Sequence, residues 1–307
     1  MRALARTWNR FWFAPVPTST VALFRIALGI ATFAWAVALG PNLSTFFGPG
    51  GLEPMPVDVT WGVLGRANET WVLVAMYVVL LASAAAVTVG LFTRAASVTM
   101  FVAVFSFVER SPSIFNSGDG LLRILTFLLV FMPAGAMWSF DARRRRRRGT
   151  PAVVVRPVWA LRLVQIQVSV LYASAVWTKV RGGGWTDGTA MSYVWRMGDI
   201  TRFALPDAIV TSSTASSVVA YLTLAVELML AVLIWVPSAR PVVIGLGVLL
   251  HLGIDVTLRI GFFSILVTVS YVAFLAPTVA LELVATSRRW VSANFSFNLG
   301  RGRRARA

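Results

Sequence analysis

The sequence is short of the residues that build most covalent and metal sites. It has no cysteine and a single histidine, His251. The lack of cysteine excludes disulfide bonds, thiol nucleophiles and cysteine-ligated metals. One histidine is too few for a multi-histidine zinc site or for a haem held by two histidines, so no metal site is predicted. Lysine is as scarce as histidine, because Lys179 is the only one and every other basic residue is arginine.

Charged residues are also few, at 13% of the chain, whereas 57% of the residues are hydrophobic and the mean hydropathy is +0.75. Soluble domains carry about 25% charged residues, so this composition excludes a soluble enzyme with one buried core. A membrane-spanning helix needs about 20 apolar residues. We therefore predict an all-α, polytopic integral membrane protein with about eight transmembrane helices. The predicted segments are Thr18–Leu39, Trp71–Phe92, Ala95–Val108, Leu121–Trp138, Pro157–Trp177, Ala215–Val236, Pro241–Leu258 and Ile260–Val284.

The distribution of apolar and basic residues divides the chain into three regions. Residues 1–17 lack the layout of a cleavable signal peptide, and their alternating Arg, Trp and Phe residues favour a short cytoplasmic helix in the membrane interface. Residues 18–285 form the predicted transmembrane domain. Residues 286–307 form a basic tail, which we expect to be cytoplasmic.

The net charge of +16 comes from arginines that cluster in alternate loops and at both termini. This asymmetry follows the positive-inside rule and predicts a multi-pass protein of the bacterial plasma membrane with both termini cytoplasmic. The run Arg143–Arg148 is then a topology signal, and we expect it to meet anionic lipid of the surrounding bilayer. Nucleic-acid binding is not favoured, since no aromatic platform or reading motif accompanies the run.

Ionisable residues inside apolar segments are candidates for function, because charge is unfavourable within a bilayer. Arg25 lies in the first segment, Arg123 in the fourth and Glu227 near the middle of the sixth. We expect Glu227 to be protonated or to pair with Arg25, Arg123 or a polar pocket. Such a pairing would be either functional or purely structural.

Three further candidates, His251, Asp255 and Arg259, are spaced i, i+4 and i+8, which places them on one face of a helix. A carboxylate beside an imidazole would create a proton-transfer group near neutral pH. The alternative is that Asp255 and Arg259 neutralise each other where the helix leaves the membrane. For His251, a structural hydrogen bond between helices is equally consistent with the pattern.

Two other sites lie near predicted helix ends. Asn116 and Asp119 in FNSGDGLLR either cap a helix or line an outward polar pocket together with Arg123. Lys179 is either a residue at the membrane boundary that reaches toward water or a base whose pKa burial can lower.

The ordered motifs VALFRIALG, VGLFTR, FNSGDGLLR, FMPAGAMWSFDA, LYASAVWTKVRGGGWTDGTAMSYV and LHLGIDVTLRIGFFS span roughly residues 20–277. In this series the chain resembles the horizontally transferred transmembrane (HTTM) family, the bacterial relatives of the membrane half of vitamin K-dependent gamma-carboxylase. The resemblance implies that Lys179 is the general base that deprotonates a reduced quinone (menaquinol or vitamin K-like). It also implies that His251 polarises the substrate or relays protons. The region around Asn116 lacks the family's histidine, and the carboxylase's lumenal domain has no counterpart here. The resemblance therefore implies a quinol-dependent activity of the carboxylase or epoxidase type, whereas carboxylation of a propeptide-tagged protein is not favoured.

The stretch VQIQVSVLY, the W-x-x-GTA motif that begins at Trp185, the AVEL around Glu227 and the HLGI around His251 are also similar to Sdp-type membrane proteins. These proteins mature a secreted antimicrobial peptide, and arginine replaces the lysine in that branch. The leading hypothesis is an outward-facing polar cavity that binds a quinone or a hydrophobic peptide. Its alternatives are a non-enzymatic factor for a secreted peptide and a small-solute transporter. The candidate catalytic residues are Lys179 and His251, and the candidate binding residues are Arg25, Asn116, Asp119, Arg123, Trp185, Glu227, Asp255 and Arg259.

Overall fold

The computed structural model describes residues 1–51, 61–65, 69–111, 114, 116–149, 151–286 and 289. Most of the tail predicted at residues 286–307 lies outside them. The elements in this part of the chain are α1 (Arg2–Phe13), β1 (Pro15–Pro17), α2 (Ser19–Leu39), α3 (Leu43–Phe47), α4 (Thr70–Val89), α5 (Thr93–Arg110), α6 (Ser117–Val130), α7 (Phe140–Arg146), β2 (Val155–Pro157), α8 (Trp159–Val180), α9 (Gly183–Thr186), α10 (Ala190–Val194), α11 (Asp207–Val210), α12 (Ser213–Val232), α13 (Arg240–Thr257), α14 (Phe263–Tyr271) and α15 (Pro277–Thr286).

The long helices run back and forth between two ends of a bundle. At one end, β1 and β2 form an antiparallel ribbon in which Val16 pairs with Arg156, and the run Arg143–Arg148 lies on the same side. We call it the basic end. The opposite end, called the distal end, carries the end of α8 with Lys179 and the start of α6 with Asp119.

Two groups of helices share the apolar core. In the first group, α2 packs against α4, α4 against α5 and α5 against α6. In the second group, α12 packs against both α8 and α13, and α14 contacts α2, α6, α8 and α13. Because α14 touches both groups, residues from α8, α12, α13 and α14 converge in the distal half of the bundle.

Five of the described helices are long and apolar enough to cross a membrane, and a sixth span results if a bent pair counts as one. The predicted third and fourth segments do not qualify: α5 carries Arg94, Glu109 and Arg110, and α6 has only 14 residues. The predicted eighth segment is bent by 116° before Pro277. Proline lacks the N–H that a continuous helix needs and disfavours helical geometry in the residue before it.

The N-terminal helix α1 has no buried residue. Its Phe11 ring lies 6.1 Å from the Trp235 ring, and the Arg162 guanidinium stands 5.1 Å from the centroid of Phe11. The alternation of Arg, Trp and Phe in this region therefore forms a helix that attaches to the bundle through an aromatic side chain.

Arg25 is fully buried near the basic end, where its guanidinium joins three chain segments. It donates hydrogen bonds to the carbonyl oxygens of Trp138 at 2.7 Å, Ala134 at 3.1 Å and Met137 at 3.4 Å, and it reaches Thr88 at 3.5 Å. Gly90, with φ +71°, ends α4 beside this site, and a Cβ there would lie 2.9 Å from Ser139 Cα. Arg25 therefore ties α2 to the end of α4 and to the turn after α6.

Replacing Arg25 with Ala should destabilise the protein by on the order of 3 kcal/mol, because buried carbonyl groups lose charge-assisted hydrogen bonds. The stability of Arg25→Lys should lie between those of wild type and Arg25→Ala, since the compact ammonium lacks the forked donors with which the guanidinium reaches all of these oxygens. Equilibrium unfolding in detergent micelles measures the difference. Arg6→Ala, on the exposed helix α1, is the matched control, and equal stability of the two alanine variants would contradict this role of Arg25.

Candidate functional site

The only lysine forms a largely buried ion pair with the carboxylate predicted near the middle of a membrane span. Lys179, in the last turn of α8, donates through Nζ to Glu227 Oε1 of α12. Glu227 is 7% exposed, and the Lys179 side chain is 20% exposed. Of the partners expected for Glu227, neither Arg25 nor Arg123 is used. The charge of Glu227 is instead neutralised from the helix next to its own.

The ammonium of Lys179 also lies over an aromatic ring, 4.9 Å from the centroid of Trp185. Trp185 lies in the short helix α9, within the loop region that follows α8. A hydrogen bond from Ser216 to the Gly188 carbonyl at 2.7 Å attaches this region to α12. In the same loop, the hydroxyl and N–H of Thr189 donate to Asp187 and lower its pKa, so this carboxylate is ionised at neutral pH. The loop is thus fixed over the ion pair.

Tyr172 lies two helical turns before Lys179 on α8, and its buried hydroxyl joins three helices. It is 2.8 Å from Nε2 of His251 on α13, and it hydrogen-bonds the hydroxyl of Tyr271 on α14. Both hydroxyls also lie within electrostatic range of the Glu227 carboxylate. Sequence reasoning missed both tyrosines. For Tyr172 a signal was present, because its seven-residue spacing from Lys179 places these two residues on one face of a helix.

Three buried polar atoms in this region have no hydrogen-bond partner among the residues that the structure describes. They are Oε2 of Glu227, Nδ1 of His251 and Oδ1 of Asp255. More than nine in ten buried polar groups in proteins are hydrogen-bonded, and an unsatisfied one destabilises by about 1–3 kcal/mol. Three such atoms beside one ion pair make this region the candidate functional site. We call Tyr172, Lys179, Glu227, His251, Asp255 and Tyr271 the polar cluster.

The predicted pairing of Asp255 with Arg259 is wrong. Helix α13 ends at Thr257, so Arg259 does not continue the face that carries His251 and Asp255. Its backbone N–H instead donates to the Ile200 carbonyl at 2.7 Å, and its exposed guanidinium reaches the carbonyl of Arg202 at 3.5 Å. The loop around Arg202 therefore holds the chain in an extended course after α13, and Asp255 keeps its carboxylate for the polar cluster.

Asn116 and Asp119 form the helix cap that was one of the two alternatives, and they also line a pocket whose wall is mainly apolar and does not include Arg123. The Asn116 side chain accepts from the N–H groups of Gly118 and Asp119, while the Asp119 carboxylate accepts from the Asn116 N–H, which is a reciprocal capping box. Asp119 also accepts from Nε1 of Trp35 at 2.8 Å. The same two residues line a pocket of about 260 Å³ with Trp35, Phe107 and Phe262.

This aromatic-walled pocket is adjacent to the polar cluster without being part of it. Phe262 lines the pocket, and the next residue, Phe263, places its ring 5.6 Å from the His251 ring. Arg123 faces neither of them, because it pairs with Glu109 of α5. Arg25 lies at the basic end, away from both. The structure therefore brings together Lys179, Trp185, Glu227, His251 and Asp255 and separates Arg25, Arg123 and Arg259 from them.

Replacing Tyr172 with Phe should destabilise the protein by about 1–3 kcal/mol, because the buried His251 would lose the partner of its Nε2. Tyr271→Phe should have a smaller effect, since the bond between Tyr172 and His251 would remain. Tyr193→Phe, on an exposed ring, provides the control. Unfolding free energies in micelles test the order, and a Tyr172→Phe variant as stable as the control would show that the hydroxyl does not join the helices.

A comparison with protein families agrees with the sequence motifs and with the helical architecture. The family model described as HTTM domain matches residues 13–278, which include every helix of the bundle from α2 to α14. A comparison with solved structures found no significant match. The match covers most of the chain, and five or six of the described helices are apolar enough to cross a membrane. The chain is therefore a multi-pass membrane protein that belongs to the HTTM family.

Proposed function

We propose that this protein binds a hydroxyl-bearing lipid, such as a reduced quinone, at the polar cluster and removes a proton from its hydroxyl group. The observation that carries the proposal is the ion pair of Lys179 and Glu227 beside three buried polar atoms that lack partners within the described residues. Buried charge contributes little to stability, and inside a membrane it is a default indicator of function. The family resemblance supports a quinol as the substrate.

The ion pair can accept the proton without leaving an unbalanced charge. With Lys179 protonated and Glu227 ionised, the pair carries no net charge. A substrate hydroxyl next to the pair can give its proton to this unit, which then becomes positive and faces the oxyanion that has formed. Such electrostatic compensation is strong where water is excluded. In this charge state the Glu227 carboxylate takes the proton, because the ammonium of Lys179 has no free electron pair. If the proton of the ion pair first moves from Lys179 to Glu227, the neutral amine of Lys179 is the base. Both routes end with a neutral Glu227 and a Lys179 ammonium that stabilises the product anion.

The remaining members of the cluster fit the task of holding the substrate. His251 Nδ1 and Asp255 Oδ1 are buried without partners from the described chain and can hydrogen-bond a second oxygen of the ligand. Tyr172 fixes the His251 ring through Nε2. Trp185 covers the ammonium of Lys179 and presents an aromatic ring to a planar ligand.

Purified protein should accelerate the consumption of reduced menaquinone in air, measured by ultraviolet absorbance against a protein-free control. Lys179→Met and Glu227→Gln should each lower the rate by about 100-fold or more, which is the usual range for loss of a proton-transfer group. His251→Ala should also lower it. Arg181→Gln, which removes an exposed charge near Lys179, should not.

A double variant separates chemistry from folding. Either single substitution in the ion pair leaves one buried charge unpaired and should destabilise the protein by about 3–5 kcal/mol. Lys179→Met with Glu227→Gln removes both charges, so it should recover stability and remain inactive. Equal turnover in wild type, Lys179→Met and His251→Ala would refute the proposed chemistry.

We also propose that the protein lies in a bacterial plasma membrane with both termini in the cytoplasm and the polar cluster toward the outer face. The positive-inside rule supports this orientation, because the run Arg143–Arg148 and Arg156 share the basic end with the start of α2. The predicted count of eight spans remains part of the proposal. It requires α5 to cross despite its three charged residues, α6 to cross with only 14 residues, and the bent pair to count as one span.

Reporter fusions test the orientation. Alkaline phosphatase inserted after Gly198, in the loop between α10 and α11, should be active because that loop should face outward. The same enzyme fused after Ala307 should be inactive, whereas a green fluorescent protein there should fluoresce. The reverse pattern would show that the basic end faces outward.

A further inference from the structure

A recess at the basic end combines positive charge with an apolar wall. It has a volume of about 880 Å³ and lies between α5, the turn after α6, α7 and β2. Three arginines from three different elements line it, namely Arg94 of α5, Arg145 of α7 and Arg156 of β2. Only one of them belongs to the run Arg143–Arg148, so the recess is a different feature from that run.

Two of these arginines are available to a ligand. Arg94 and Arg156 are exposed, and neither guanidinium has a hydrogen-bond or ion-pair partner within the residues that the structure describes. Arg145 donates one bond to the Gly135 carbonyl. A surface guanidinium normally remains in water, so exposure alone indicates nothing, but three of them around one recess form a site of concentrated positive charge.

The one acid in the recess does not cancel this charge. Asp141 accepts hydrogen bonds from the N–H and hydroxyl of Thr93, both at 2.7 Å, and from the N–H of Phe92 at 3.1 Å. Burial alone would raise its pKa, but these bonds, with the positive charge of Arg145, hold the pKa below its usual value. Asp141 is therefore ionised and held by the start of α5, and its single negative charge is outnumbered by the three arginines of the recess.

Apolar side chains also line the recess. Leu129, Phe131 and Pro133 line it together with Trp159, whose ring lies 5.8 Å from the ring of Phe131. A tryptophan at the end of a membrane helix is typical of the boundary between lipid chains and headgroups. A ligand of this recess therefore needs an anionic group and an apolar chain joined in one molecule.

We propose that the recess binds one anionic phospholipid, with its phosphate between Arg94 and Arg156 and an acyl chain along Phe131 and Trp159. Guanidinium groups suit this task because they bind phosphate oxygens with two parallel hydrogen bonds. Arg145 supplies further positive charge. A free phosphate shares the charged part of this chemistry but leaves the apolar wall unused, so we assign the recess to the lipid.

The test measures the binding of phosphatidylglycerol to the full-length protein in neutral detergent by native mass spectrometry, with phosphatidylcholine and inorganic phosphate as separate ligands. Wild type should retain phosphatidylglycerol in preference to both. Removal of one arginine near a membrane surface should weaken binding about fivefold, so Arg94→Gln with Arg156→Gln should weaken it by about 30-fold. Arg147→Gln with Arg148→Gln removes the same charge from exposed positions outside the recess and should leave binding within about twofold of wild type.

Both double variants should unfold at the temperature of wild type, because the substituted side chains are exposed. If Arg94→Gln with Arg156→Gln does not fold, Arg94→Lys with Arg156→Lys replaces it. That variant keeps the charge, loses the paired hydrogen bonds and should weaken binding less, by about fivefold. Equal weakening by the recess and control variants would overturn the site, since only net charge would then matter. Inorganic phosphate that binds as tightly as phosphatidylglycerol would overturn the assignment to a lipid.

Discussion

A charge surrounded by apolar side chains must be balanced inside the fold, and this requirement organises both ends of the molecule. At the basic end, Arg25 is balanced by backbone carbonyl oxygens of the segments it joins. In the distal half, Lys179 and Glu227 neutralise each other across two helices. Each charge therefore fixes the relative position of helices that apolar contacts alone would leave free to slide, because such contacts have no direction.

The two buried charges differ in how many neighbouring polar atoms lack a hydrogen-bond partner. The guanidinium of Arg25 donates to carbonyl groups through both terminal nitrogens, and only its Nε has no partner among the described residues. The ion pair of Lys179 and Glu227 leaves one carboxylate oxygen unused, and the neighbouring His251 and Asp255 also keep buried atoms without partners in the described structure. A fold selected for stability alone would fill such positions with apolar side chains. This difference is the physical reason to place function in the distal half.

Much of the fold was accessible from the sequence, because long apolar runs predict helices whatever their neighbours are. The bounds of α2, α8 and α13 follow the predicted segments closely. The prediction was wrong where one residue or a distant loop decides the backbone: Pro277 breaks the last segment, and the contact of Arg259 with Ile200 takes the chain out of helical geometry. The hydrophobic periodicity of a sequence carries no information about such contacts.

By itself, the sequence determined the class of molecule, its helical composition and a short set of ionisable candidates, because hydropathy and charge act locally along the chain. Only the tertiary structure decided which candidates meet. In the folded protein Glu227 pairs with Lys179, and the hydroxyls of Tyr172 and Tyr271 form a hydrogen-bonded chain with His251. Arg25 lies at the opposite end of the bundle. The reason is that the partner of a buried charge is set by which helix faces pack together, and residues 48 positions apart in the chain carry no local sign of that contact.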